Sequence, residues 1–160
     1  MFSKGLILAS TSRYRRALLQ RLGVPFDCVA PDADETRLPG EPAAEMAARL
    51  ARVKAKVVAA RHPQSIVIGS DQVALRGTDI LGKPGTVERC REQLRASSGQ
   101  EVEFLTAVHV IEGSAGRTES DVDRTVVEAA VRIAQSEITG PVRDFVPLLV
   151  ERAARARLER

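Results

Sequence analysis

Gly5-Leu6-Ile7-Leu8-Ala9-Ser10-Thr11-Ser12-Arg13-Tyr14-Arg15-Arg16 is the stretch on which the fold turns. Its short, unbroken apolar run reads as a buried strand, and the hydroxyl residues after it are suited to cap a helix. From Arg13 to Leu22 the apolar residues Ala17, Leu18, Leu19 and Leu22 fall on one side of that helix. Gly23 ends it, and Pro25–Ala30 predicts a second strand. The segment Pro31–Pro42 is polar and carries three prolines, so it reads as a loop.

Farther along, Ala43–Ala60 predicts a long helix, with Met46, Leu50, Val53, Val57 and Val58 at helical spacing. Ser65–Gly69 predicts a buried strand whose carboxyl end falls at Ser70-Asp71-Gln72. Val87–Ser97 reads as a helix and Glu101–Ile111 as a strand. The C-terminal third predicts a strand over Val126–Ile133, then Gln135–Arg143 as a helix start containing Gly140-Pro141, then an amphipathic helix over Phe145–Arg160. Alternating strands and helices of these lengths imply an α/β fold. No flexible linker divides the chain, so a single domain over residues 1–160 is expected.

Composition narrows the function classes. Of the 160 residues, 44% are hydrophobic and 28% charged, which is ordinary for a folded globular chain. No apolar run approaches the roughly 18 residues of a membrane span. Two cysteines, Cys28 and Cys90, make neither a disulfide framework nor a four-cysteine zinc site, and suggest two buried thiols in a cytoplasmic protein. Aromatic residues are only 3% with no Trp, which argues against a nucleic-acid polymer as partner. Arg accounts for 20 of the 24 basic residues, an excess that base composition of the gene can produce. His62 and His109 are isolated, so a histidine metal pair is not expected.

Four constellations are candidates for the chemistry. Ser10, Thr11 and Ser12 offer hydroxyls where helix N–H groups also point, and this makes an anion site. Arg15 and Arg16 lie in the first helical turn, where the helix dipole disfavours cations unless an anion is near. Asp71 stands at the end of a buried strand, where ligands of open α/β sheets bind. Asp32, Asp34 and Glu35 supply hard oxygens suited to Mg²⁺ or Mn²⁺. Gly82-Lys83-Pro84 places a lysine in a turn but lacks the glycine spacing of a P-loop, and no G-x-G-x-x-G follows the first strand.

In order and spacing, Leu6–Arg16, Asp34-Glu35-Thr36, Leu50–Ala55, Ile68–Val73 and Gly82-Lys83-Pro84 together resemble the Maf family of nucleoside triphosphate pyrophosphatases. The resemblance implies a fold like that of the inosine-triphosphate pyrophosphatases, with a central mixed sheet flanked by helices, and usually a homodimer. It implies hydrolysis between the α and β phosphates of a nucleotide, giving a monophosphate and pyrophosphate. Asp71 would be the catalytic carboxylate, with Mg²⁺ or Mn²⁺ held by Asp71 and Glu35. Ser10, Ser12, Arg15, Arg16, Lys54 and Lys83 would bind the triphosphate. Tyr14 and Gln72 correspond to positions of base choice: the dTTP and UTP subfamilies carry Arg and Thr there, and the 7-methyl-GTP subfamily an aromatic and Gln. A methylated guanine is cationic and stacks well on an aromatic face, so 7-methyl-GTP or a related nucleotide is the expected substrate.

The chain departs from the family pattern at Arg13, where Pro is usual, and at Gly140-Pro141, inside a family helix spanning 137–148. After Leu148 the resemblance stops, and a C-terminally shortened domain is the expectation. The rival readings are a non-catalytic nucleotide-binding regulatory relative and a dTTP or UTP pyrophosphatase.

Overall fold

Leu6–Ala9 forms β1, and its Ile7, Leu8 and Ala9 are buried, as a continuous apolar strand requires. The structure is a computed structural model that describes residues 5–113 and 116–128. After β1 come α1 (Arg13–Gln20), β2 (Asp27–Cys28), α2 (Ala43–Arg61), β3 (Ile66–Arg76), β4 (Asp79–Leu81), α3 (Val87–Ser97), β5 (Glu101–Glu112) and β6 (Arg117–Glu128). Among the described residues the strands make one six-stranded sheet in the order β2-β1-β3-β5-β6, with β4 paired to β3.

β1 runs parallel to both β2 and β3, with Leu8 opposite Cys28 on one side and Ile68 on the other. β4 is antiparallel to β3, so the sheet is mixed as expected. Gly113 donates its N–H to the Ser65 carbonyl, and the Gln72 amide donates to Thr106 Oγ1. Those partners run in opposite directions, which makes β3 and β5 antiparallel and sets His109 opposite Gly69. Among the described residues no helix is long and apolar enough to cross a membrane.

Two compact units divide the chain, one from Met1–Gln72 and Leu105–Asp123, the other from Val73–Phe104 and Arg124–Arg160. In the first, α2 buries Ala47, Leu50, Ala51, Ala55 and Val58. Ile7, Ala9, Ala55, Val58 and Val67 form its apolar core, joined by Val29, Ala59 and Ile111. Each buried Val or Leu there contributes about 1.5–3 kcal/mol relative to exposure. The second unit buries Val73, Ala74, Cys90, Leu94, Val102 and Phe104. Its α3 is capped by Thr86, whose hydroxyl accepts the Arg89 N–H at 3.2 Å.

Three expectations are corrected. β3 does not end near Asp71 but runs on to Arg76, because Val73-Ala74-Leu75 prolongs the apolar run and pairs with β4 through a turn at Gly77 (φ +59°). Cys28 is exposed on the short strand β2, and only Cys90 is buried. The last strand among the described residues starts at Arg117, well before Val126, through a polar, exposed stretch with no apolar alternation to announce it, and positions 129–133 of the expected strand lie outside the described residues. Along α1 Leu19 is half-buried, while Leu18 and, beyond the helix end, Leu22 are 61% and 68% exposed. The helices expected over Gln135–Arg143 and Phe145–Arg160 lie outside the described residues.

Candidate active site

The turn after β1 is tied by its own hydroxyls. Ser10, buried at the strand end, accepts the Ser12 N–H on Oγ at 3.1 Å. Ser12 caps α1 by accepting the Arg15 N–H at 3.4 Å. The Arg15 guanidinium folds back to Ser10 Oγ at 3.4 Å. No acidic residue stands in the first turn of α1, so its N-terminal dipole and the Arg15 and Arg16 charges all favour an anion. Ser10, Ser12 and Arg15 are thus brought together, while the Arg16 side chain is exposed.

A second cluster forms where α2 crosses β3. A Cβ on Gly69 would stand 2.2 Å from the Ala51 carbonyl oxygen and 2.7 Å from the Ala55 nitrogen, so only glycine lets the helix seat there. Gly69 and Asp71 share a face of β3 by the two-residue strand period. Lys54, next to Ala55 on the seated helix, thereby reaches Asp71. Its Nζ lies 2.6 Å from Asp71 Oδ1 and 3.0 Å from Glu35 Oε1. Side-chain exposure is 6% for Lys54 and 10% for Asp71 but 45% for Glu35, so the cluster opens to solvent at its Glu35 end.

Glu35 comes from the loop between β2 and α2, which α2 holds with two arginines. Arg49 grips Glu41 in a fork, with Nε at 2.5 Å from Oε1 and Nη2 at 2.8 Å from Oε2, and Nη2 also donates to the Thr36 carbonyl at 3.1 Å. This fork holds the Glu41 carboxyl below the usual carboxylate range. Asp34 Oδ1 accepts the Thr36 N–H at 2.9 Å, and the hydrogen bonds from Thr36 lower the Asp34 pKa as well. Near the loop's start, Arg61 donates to the Ala30 carbonyl at 2.8 Å.

The remaining candidates are more scattered. Tyr14 is half-buried, and the Arg13 guanidinium stacks over its ring at 4.8 Å while donating to its hydroxyl at 2.8 Å. Gln72 follows Asp71 but points to the other face of β3, where its amide meets Thr106 at 2.8 Å. Lys83 belongs to the second unit, in an exposed turn whose preceding Gly82 carbonyl accepts from Gln93 at 3.2 Å.

Sequence reasoning passed over Gly69 and Arg49. For Gly69 a signal existed, since a glycine inside a buried strand marks a close backbone approach. Arg49 had none, as one arginine among 20 on a charged helix.

The mixed sheet, its flanking helices and the buried lysine between two carboxylates define an α/β protein with a polar site built around β1 and β3. The chain belongs to the Maf family: the family model of the Maf-like protein matches residues 5–145. Among similar proteins, a 7-methyl-GTP pyrophosphatase of Bordetella parapertussis is 54% identical over 130 residues, covering 79% of this chain and 65% of that protein. Proteins of the same name from Alkalilimnicola ehrlichii and Pseudomonas putida are 54% and 52% identical, covering 59% and 60% of their lengths. The chain therefore spans less than two thirds of these relatives. In fold it is similar to the Staphylococcus aureus Ham1 protein, with a TM-score of 0.52 at 15% identity over 79% of this chain and 72% of that one.

Proposed function

We propose that the chain is a metal-dependent nucleoside triphosphate pyrophosphatase that cleaves the α–β phosphate bond of 7-methyl-GTP or a closely related nucleotide. The observation that carries this reading is Lys54, buried between Asp71 and Glu35 in the same unit as the Ser10–Ser12–Arg15 anion cradle. The names of the relatives support the same substrate.

In this reading the α1 N-terminus, Ser10, Ser12 and Arg15 bind phosphate oxygens, with Arg16 adding charge. Asp71 meets Lys54 through Oδ1, and Oδ2 is the oxygen assigned to take a proton from water. The water oxygen bonds to phosphorus as the α–β bridge breaks, and pyrophosphate leaves with the bridging electron pair. Tyr14 stacks on the base, and Gln72 contributes to its selection.

The carboxylates fit a divalent metal, for Glu35 and Asp71 already converge on one ammonium. No cluster of three His, Cys, Asp or Glu that could hold a metal occurs among the described residues. Two carboxylates suffice for Mg²⁺ or Mn²⁺, which take the rest of their oxygen shell from water and phosphate. Such an ion supplies charge neutralisation as the triphosphate reacts. A homodimer in the cytoplasm accompanies this reading.

Pyrophosphate release from 7-methyl-GTP, GTP, dTTP and UTP with Mn²⁺ tests it. The highest kcat/KM is expected for 7-methyl-GTP. Binding of a nucleotide without turnover of any would instead identify a regulatory relative.

A further inference from the structure

We infer that Arg49 is a positioning residue that sets the Glu35 carboxylate beside Asp71. The inference rests on the metal role proposed for Glu35 and adds a residue to it. Between β2 and α2 there is no regular hydrogen-bond ladder to hold Glu35 in place. Thr36, the residue after Glu35, is instead fixed through both its backbone polar groups: Asp34 accepts the Thr36 N–H, and Arg49 donates to the Thr36 carbonyl. Arg49 is itself fixed, because its fork closes on Glu41, whose side chain is only 7% exposed.

One helix therefore supplies both the cation that the Glu35 carboxylate meets, Lys54, and the cation that holds the backbone of the next residue, Thr36, namely Arg49. They lie five residues apart on α2, so helix rigidity turns the grip on Thr36 into a set distance between Glu35 and Asp71. Planarity matters here. A lysine at position 49 carries the charge but cannot bond Glu41 and Thr36 in one plane.

The experiment measures Mn²⁺ affinity directly, from the electron paramagnetic resonance signal of free Mn²⁺. The full chain is titrated with the α,β-methylene analogue of 7-methyl-GTP present, which prevents turnover. Arg49→Ala is expected to weaken Mn²⁺ binding about 10–100-fold, the range found when groups behind a metal ligand are removed. Arg49→Lys should recover little of that loss. Glu41→Gln, which loosens the same fork, should move affinity in the same direction and carries the test if Arg49→Ala does not fold.

In a Glu35→Gln background, Arg49→Ala should have almost no further effect, because Arg49 acts through Glu35. An equal loss in both backgrounds, or a fall in thermal stability with Mn²⁺ affinity unchanged, overturns the inference. If Glu35→Gln itself leaves Mn²⁺ affinity unaltered, the metal role of Glu35 fails, and this proposal with it. If Glu35→Gln weakens binding and Arg49→Ala does not, only the positioning role fails.

Discussion

Lys54 Nζ and Asp71 Oδ1 stand 2.6 Å apart, joining a helix to a central strand across 17 residues of chain. Both residues are buried, at 5% and 7% exposure. Their pairing is a condition of the fold before it is part of any chemistry, because a lone charge at that depth is costly.

Lys54→Met should therefore destabilise the protein by about 3–5 kcal/mol, the usual cost of leaving a buried partner uncompensated. Replacing both members, as Lys54→Met with Asp71→Leu, should recover much of that loss. Urea unfolding of the single and double variants checks it. A double variant no more stable than Lys54→Met would show that the pair is not the source of the effect.

Asp71→Asn keeps the shape and an acceptor for Lys54 while removing the carboxylate. Pyrophosphate release should fall on the order of 10²–10⁴-fold, the range for loss of a positioned base. Nucleotide binding should stay within a few-fold, since the anion cradle lies on α1 and the β1 turn. Turnover at the wild-type rate would take Asp71 out of the proton-transfer role.

Gly69→Ala tests how the site is assembled. The new methyl would stand 2.2 Å from the Ala51 carbonyl, and backbone cannot move aside as a flexible side chain does. Displacing α2 should cost at least about 1–3 kcal/mol, as overpacked cores do. Lys54 would be carried off Asp71 with it, so the variant should lose activity even where it is still folded. A folded Gly69→Ala protein with full activity would mean that α2 tolerates the shift.

Much of this was legible because periodicity and local chemistry agreed. The run Leu6–Ala9, the Ser12 cap and the amphipathic Ala43–Arg61 helix are local features, and the structure has them. The end of β3 was hidden because the polar Ser70-Asp71-Gln72 interrupts the apolar run before Val73-Ala74-Leu75 resumes it and pairs with β4. Nor was the grip of Arg49 on Thr36 and Glu41, which depends on how a loop without regular structure returns to a helix. Asp71 and Glu35 were singled out as oxygen donors, yet their meeting at Lys54 follows from Gly69 admitting the helix.

His109 makes stability depend on pH in a window separate from the carboxylates. It sits on β5 at 6% exposure, with Nδ1 against the Ser120 hydroxyl and Nε2 buried without a hydrogen-bond partner among the described residues. Burial lowers its pKa below the ordinary 6.5, and Arg52 and Lys56 on α2 push the same way. The folded state thus refuses a proton that the unfolded chain accepts near pH 6.5. Above that value the neutral ring costs nothing extra; as pH falls below it, protons bind the unfolded chain preferentially and stability drops. Asp34 and Glu41, held low in the folded state, lose their contribution only in the more acidic carboxylate range. The thermal midpoint should accordingly fall between about pH 7.5 and pH 5.5, and His109→Asn should flatten that step without changing the loss at lower pH. An unaltered step in His109→Asn would assign the proton uptake to another group.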